Sequence, residues 1–377
     1  MKKKKHIRLF KPSVGNEEIH SIKKVFKKSW LGYGSNVREF ENKFRKFIGT
    51  KYAVGLNSCT AALHLALAVN KFKKKKKVLI PAMTFSATAA AILYNDLIPV
   101  FVDVNKDDLN ISFEDLKKKY TKDCVAVMAV HFGGNPCKME KIVPWARSKK
   151  MIVIEDCAHT CGGVYKGKKL GAWGDYGCFS FEDKKVITTG DGGMLCTNKK
   201  NKISLLKSLS FHGWDNDPLE RHLKQSKNRH WYYEIKNLGF KYNMNNLQAS
   251  IGLSQLQKLN KLNKSRISII KKYLSVIKNC KKISLAFPYN LKNSCYWLLS
   301  LKIKNRDSIM SYLKSKGIST GVHLMPLTLH PIYKKYNKGL ENTTKVWSNL
   351  FSLPLFPDMK KNQVDYVLKF VKQYDEK

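Results

Sequence analysis

Residues Cys178 to Gly193 read CFSFEDKKVITTGDGG: an apolar run, an acidic pair, two adjacent lysines, and a turn of threonine, glycine and aspartate. A short apolar run closed by polar residues and glycine has the pattern of a buried strand ending in a turn. Flanking apolar residues disfavour a lysine's ammonium form, and a lysine needs a lowered pKa before its free amine attacks a carbonyl. A strand-to-turn lysine is therefore where an enzyme that bonds an aldehyde cofactor would present its amine. In so lysine-rich a chain a lysine also follows a strand for no chemical reason, and local sequence does not choose between Lys184 and Lys185.

The surrounding chain repeats the strand and alternates it with helices. Tyr52 to Asn57 precedes SCTAALHLALA (Ser58 to Ala68), a small-residue turn opening into a helix, where unpaired amides and the helix dipole favour an anion. Apolar strands are predicted at Val78 to Ile80, Pro99 to Val104, Val125 to His131, Met151 to Glu155, Cys178 to Phe181 and Gly193 to Cys196. Upstream, Ile19, Ile22, Val25 and Phe26, then Val37, Phe40, Phe44 and Phe47, have helical spacing. This is an α/β pattern with a mostly parallel sheet, whose active residues belong beyond the strands' carboxyl ends. From Asn246 the texture changes to a long helix, a strand at Cys295 to Ile303, a helix at Ser308 to Lys316, a strand near Gly321 to Leu324 and a final helix from Asn362. The division predicted is a large domain over 1–245 and a smaller α+β domain over 246–377.

Composition narrows the partners. The formal charge is +42 over 377 residues, with 70 basic residues of which only eight are arginine. Nucleic-acid readers enrich arginine for its bidentate fork, whereas lysine here is spread along the whole chain, so nucleic-acid binding is not expected. The runs Lys2 to Lys5 and Lys73 to Lys77 read as a solvated tail and loop. Nine cysteines without a CxxC pair suit buried free thiols in a reducing cytoplasm. Cys157, Cys161 and His159 lack the second ligand pair of a zinc site, so no metal is expected. No apolar run approaches the roughly 18 residues of a membrane span, and the chain reads as soluble and without a leader.

Pyridoxal phosphate (PLP) asks for a lysine, a carboxylate for its pyridine nitrogen, an anion cradle for its phosphate and an apolar face for its ring. Asp156 closes MIVIED, where a buried carboxylate is costly unless a cation such as a protonated pyridinium pairs with it; the plainer reading is a helix cap. Phe85 in PAMTFSATAAAI is placed to stack on the ring, unless it is a core residue. Thr60 and the amides that follow it, Ala61 among them, suit the phosphate, with the Ser180 hydroxyl a second donor.

The pieces KPSVGNEEI, SWLGYGSNVREFE, NSCTAALHLALA, PAMTFSATAAAILYNDLIPVFVDV, IEDCAH, FSFEDKKVITTGDGGM, GFKYNMNNLQASIGLSQL and GVHLMPLTLHPIY occur in this order along nearly the whole chain. Together they resemble the DegT/DnrJ/EryC1/StrS family of PLP-dependent sugar aminotransferases. The resemblance implies a three-layer fold type I large domain with a mostly parallel sheet. It implies Lys185 as the cofactor lysine, five residues before the first glycine of the TGDGG turn, with Lys184 a bystander. It implies Asp156 on the pyridine nitrogen, His159 near the ring hydroxyl, and Thr60, Ser180 and Asn243 on the phosphate, Asn243 coming from the partner subunit of a homodimer with two shared sites. Tyr33 and His323 stand in motifs that line the sugar pocket in relatives, or are packed residues.

Three positions depart from the usual pattern: Cys59 replaces glycine or alanine, Asp191 the commoner glutamate, and Asn243 the arginine of many relatives. Lysine at 185 matters more, because a sister branch with histidine there deoxygenates the sugar. The implied reaction moves an amine from L-glutamate to a nucleotide-linked keto sugar, at C4 by the likeness of GFKYNM and FSLPLFPDM to 4-aminotransferases, for a surface polysaccharide or glycan. A 3-aminotransferase and a non-catalytic PLP-binding regulator remain as alternatives.

Overall fold

In the computed structural model seven strands form the central sheet, in the order β1-β9-β8-β5-β4-β2-β3. They are β1 (Tyr52–Leu56), β2 (Lys77–Pro81), β3 (Ile98–Val102), β4 (Cys124–Val130), β5 (Ile152–Asp156), β8 (Tyr176–Ser180) and β9 (Gly193–Thr197), with the short hairpin β6 (Val164–Tyr165) and β7 (Lys168–Lys169) between β5 and β8. The structure describes residues 6–215, 232–292, 295–336 and 338–376; the Lys2 to Lys5 run lies outside them. β9 pairs antiparallel with both β1 and β8, and the remaining pairs are parallel. β4, CVAVMAV, is buried along almost its whole length, as a parallel strand covered on both faces must be.

The register brings the carboxyl ends of three strands to one edge. Asp156 pairs with Cys178, and Ser180 and Leu56 both pair with Gly193. Helix α1 (Asn16–Lys27) and α2 (Ser35–Ile48) pack against the long helix Asn246–Ile277. Helix α3 (Cys59–Ala68) starts two residues beyond β1 and is capped by Ser58, whose Oγ accepts the Ala61 amide at 3.1 Å. A Cβ on Gly193 would sit 2.4 Å from the Ser58 carbonyl, so only glycine lets β9 lie this close to the helix start.

The C-terminal part departs from expectation at two strands. Its sheet consists of Ser284–Leu285, Leu299–Lys302 and Leu350–Leu353. The predicted strand from Cys295 begins only at Leu299, because residues 295–298 leave the sheet to dock on the large domain: the Trp297 amide donates to the Gly133 carbonyl at 2.9 Å. Gly134, at φ +96°, admits this contact, since a Cβ there would lie 2.1 Å from the Cys295 carbonyl oxygen. Gly321 to Leu324 is not a strand; it makes a single bridge, Gly321 to Ser352. The strand beside Leu299–Lys302 is instead Leu350–Leu353, in the apolar tail. The N-terminal segment also crosses to this part, with Ile7 fully buried and bridged to Ile318, and the Leu9 carbonyl accepting the Leu355 amide.

Candidate active site

A cavity of about 380 Å³ opens at the carboxyl edge of the sheet, lined among others by Thr60, Phe85, Asp156, His159, Ser180, Lys185, Trp297 and His323. Strand order explains the convergence: β5 ends in Asp156, β8 ends in Ser180 and runs on to Lys185, and β1 feeds the turn that carries Thr60.

The two lysines have opposite environments. Lys184 is exposed and lies 3.3 Å from Glu182, which raises its pKa. Lys185 points into the cavity, where burial lowers its pKa against the pull of Glu182, Asp156 and Cys59. Its loop is closed by the Lys185 amide on the Glu182 carbonyl (3.0 Å), and the Thr189 amide donates to the Phe181 carbonyl at 2.9 Å. The turn is anchored from the long helix, Gln255 Oε1 accepting the Thr188 amide and Gln248 Nε2 donating to the Asp191 carbonyl. Both lysines line the cavity, and of the two only Lys185 has its pKa lowered.

Asp156 is buried, and burial raises its pKa. Its Oδ1 accepts the Ala158 amide (3.1 Å) and its Oδ2 the Thr88 hydroxyl (2.9 Å), which is itself hydrogen-bonded to Thr84. It forms no ion pair among the described residues. It caps no helix, which removes the plainer reading. A buried carboxylate with neutral donors alone is poised for a cationic partner, which a protonated pyridine supplies. Phe85 is 61% exposed at the start of α4 (Ser86–Leu93), so it offers an aromatic face to the cavity instead of packing in the core. Thr60 and the backbone around Cys59 face the same space as the Ser180 hydroxyl. Amine, carboxylate, aromatic face and anion cradle therefore fit PLP without rearrangement of the fold.

Three predicted residues are not brought to the cavity. Ala61 is buried behind it, its amide committed to the Ser58 cap. Tyr33 is half-buried against the core, its carbonyl accepting Trp30 Nε1 at 2.8 Å, so within this chain it takes the packed reading. Asn243 bridges Leu56, donates through Nδ2 to the Met244 carbonyl and leaves its buried Oδ1 unpartnered.

Other residues escaped the sequence. Trp297 is 5% exposed and stacks on His159, centroids 4.3 Å apart, and on Phe10 at 5.1 Å. Phe10 precedes any periodic segment, and Trp297 is one apolar residue in a run of them, so neither carried a signal. Glu182 also lines the cavity, its pKa raised by burial, and its place beside the lysine pair was the one visible hint. His159 accepts the Gly133 amide through Nδ1 at 3.3 Å, and burial holds it neutral, its pKa well below the ordinary value. On the opposite face of β5, Glu155 is engaged by His131 Nε2 and by the amides of Gly171, Trp173 and Gly174, so it clasps the loop behind the site.

A mostly parallel sheet with an amine of lowered pKa and a buried carboxylate at its carboxyl edge is the arrangement of the PLP-dependent aminotransferase fold. The chain belongs to the DegT/DnrJ/EryC1/StrS aminotransferase family, whose profile matches residues 12–372. The family is PLP-dependent, and solved structures that resemble this chain are sugar aminotransferases. The chain is 40% identical to an uncharacterised protein, MJ1066, of Methanocaldococcus jannaschii, over 97% of this chain and 96% of that one. It is 35% identical to the spore coat polysaccharide biosynthesis protein SpsC of Bacillus subtilis, over 96% and 95%. Its fold matches the putative sugar aminotransferase Spr1654 of Streptococcus pneumoniae with a TM-score of 0.91 at 25% identity, covering 98% of this chain and 99% of that one; Spr1654 has been solved in PLP and PMP forms.

Proposed function

We propose that this enzyme transfers an amino group from L-glutamate to a keto carbon, C4, of a nucleotide-linked deoxy-keto sugar, and that the amino sugar enters a surface polysaccharide or glycan. The observation that carries the reading is Lys185, an amine of lowered pKa facing the buried Asp156 across a cavity with an anion cradle. Bound PLP supplies the electron sink and stores the amine between the two half-reactions. Lys185 is the residue that would hold the cofactor's aldehyde, and its flexible amine of lowered pKa is suited to holding and moving a proton at Nζ. Asp156 keeps the pyridine nitrogen protonated. Phe85 would cover the ring, His159 would sit beside it, and Thr60 and Ser180 would hold the phosphate. Asn243, whose buried carbonyl oxygen has no partner among the described residues, is assigned to the phosphate of the partner's site in a homodimer. His323 borders the space left for the sugar, and the excess lysine draws in a pyrophosphate-bearing substrate.

The relative in Bacillus subtilis, named for spore coat polysaccharide biosynthesis, supports the choice of a sugar acceptor. The test is a panel of 3-keto and 4-keto nucleotide sugars offered to the glutamate-charged enzyme. Amination of a 4-keto member is expected. Amination of 3-keto members alone would move the reaction to C3, and failure with every sugar would contradict the reading.

A further inference from the structure

The catalytic lysine does not point into empty space. Its Nζ lies 4.0 Å from the centroid of the Trp297 ring. That indole is fixed on several sides: Nε1 donates to the Lys184 carbonyl at 2.7 Å, the rings of His159 and Phe10 stack on it, and His323 meets it edge-on at 5.3 Å. The residue directly before the lysine is thus tied to the ring that the lysine's own amine sits over.

We propose that the Trp297 indole is the docking place of the Lys185 amine whenever that amine is not bonded to the cofactor, which makes Trp297 a positioning residue of the active site. The proposal rests on the reading of Lys185 as the cofactor lysine. An aromatic face attracts an ammonium through its quadrupole without a carboxylate's full charge. The other groups that face Nζ are Glu182, Asp156 and Cys59, which favour its charge, and Lys184, which opposes it; His159 and His323 in turn feel the lysine's charge. None of the carboxylates is within ion-pairing distance of it among the described residues. Burial pushes the amine toward neutrality, and the indole is the contact that opposes this at short range. A lysine parked in this way keeps its proton until the cofactor or substrate calls for it, and leaves without breaking a salt bridge. Because Trp297 belongs to the segment held by Gly133, the docking place is supplied by the C-terminal part of the chain, and the hydrogen bonds of residues 297 and 298 to Gly133 set where the lysine rests.

The test reads the amine itself in cofactor-free protein: competitive acetylation of Lys185 across pH, followed by mass spectrometry. Tryptophan is replaced biosynthetically by fluorinated analogues, which keep the indole's shape and weaken its face. The apparent titration of Lys185 should move to lower pH, so that labelling near pH 7 rises about threefold to thirtyfold with the high-pH plateau unchanged. A merely structural role would move the plateau or nothing. In a Trp297→Phe background the same fluorination should have no effect on Lys185, which assigns the change to this one of seven tryptophans. An unchanged titration, or an equal shift in the Trp297→Phe background, overturns the proposal. If heavy fluorination prevents folding, monofluorotryptophan gives the same direction with smaller amplitude. The labelling needs neither glutamate nor sugar, so a failed amine-transfer assay would leave its outcome standing, and the reverse.

Discussion

At the scale of single residues, the account turns on what burial does to two opposite charges. Burial drives Lys185 toward its neutral amine and Asp156 toward its neutral acid, and on the proposed reading bound PLP would offset both, through a bond to the first and a cation beside the second. Asp156→Asn keeps the shape and removes the charge; its oxygen can still accept the Ala158 amide, while its NH2 would donate to Thr88 Oγ1 where the carboxylate accepts. Turnover should fall roughly a hundredfold to several thousandfold, with PLP still bound; steady-state rates and bound-cofactor absorbance check this. An unchanged rate would return Asp156 to a structural role. Asp156 and Ser180 were legible in the sequence because each stands where a run of apolar residues ends, whereas Lys185 was told from Lys184 only by the resemblance to the family. The partners of the lysine were not legible. Trp297 and Phe10 act by stacking across hundreds of residues, and no spacing records such a contact.

At the scale of elements, the expected strands of the large domain all formed, with ends displaced by a residue or two, since each is a covered strand bounded by polar turns. The C-terminal strands were less legible because a continuous apolar run does not say where pairing stops. From Cys295 to Leu298 the run is apolar because it docks on Phe132 to Gly134, and only from Leu299 because it pairs in a sheet. The apolar tail supplied the strand that Gly321 to Leu324 did not. This docking gives a direct prediction. Gly134→Ala adds a Cβ at a positive φ against the Cys295 backbone, and should destabilise the fold by about 1–3 kcal/mol or more while loosening Trp297. Denaturant unfolding and the rate of PLP loss measure the two effects; a stable variant with unaltered PLP retention would show that the segment is not held there.

At the scale of the whole molecule, the N-terminal segment, the large domain and the C-terminal part converge on one cavity. The cavity has His159 buried and His323 half-buried at its wall. His323 has its pKa pushed down to about 4 from 6.5 by burial and by Lys185, and His159 is depressed as well. Below pH 6.5 the unfolded chain therefore binds protons that the folded chain refuses, so stability falls as pH drops from 6.5 toward 4. Thermal unfolding of the cofactor-free protein across this window should show the loss, and His323→Asn should flatten it; an equal slope in the variant would contradict the burial argument. The charge of +42 implied less than its size suggests, because it is carried by lysines spread along the whole sequence.

The central claim, amine transfer through Lys185, is tested most directly by mixing the PLP-loaded protein with L-glutamate and following the visible absorbance of the bound cofactor in a single turnover. The wild type and Lys184→Ala should lose the band as the amine is taken up, and a keto acceptor should restore it, whereas Lys185→Ala should show no such cycle. A wild type whose bound PLP ignores glutamate, or a Lys185→Ala protein that still completes the cycle, would contradict the account.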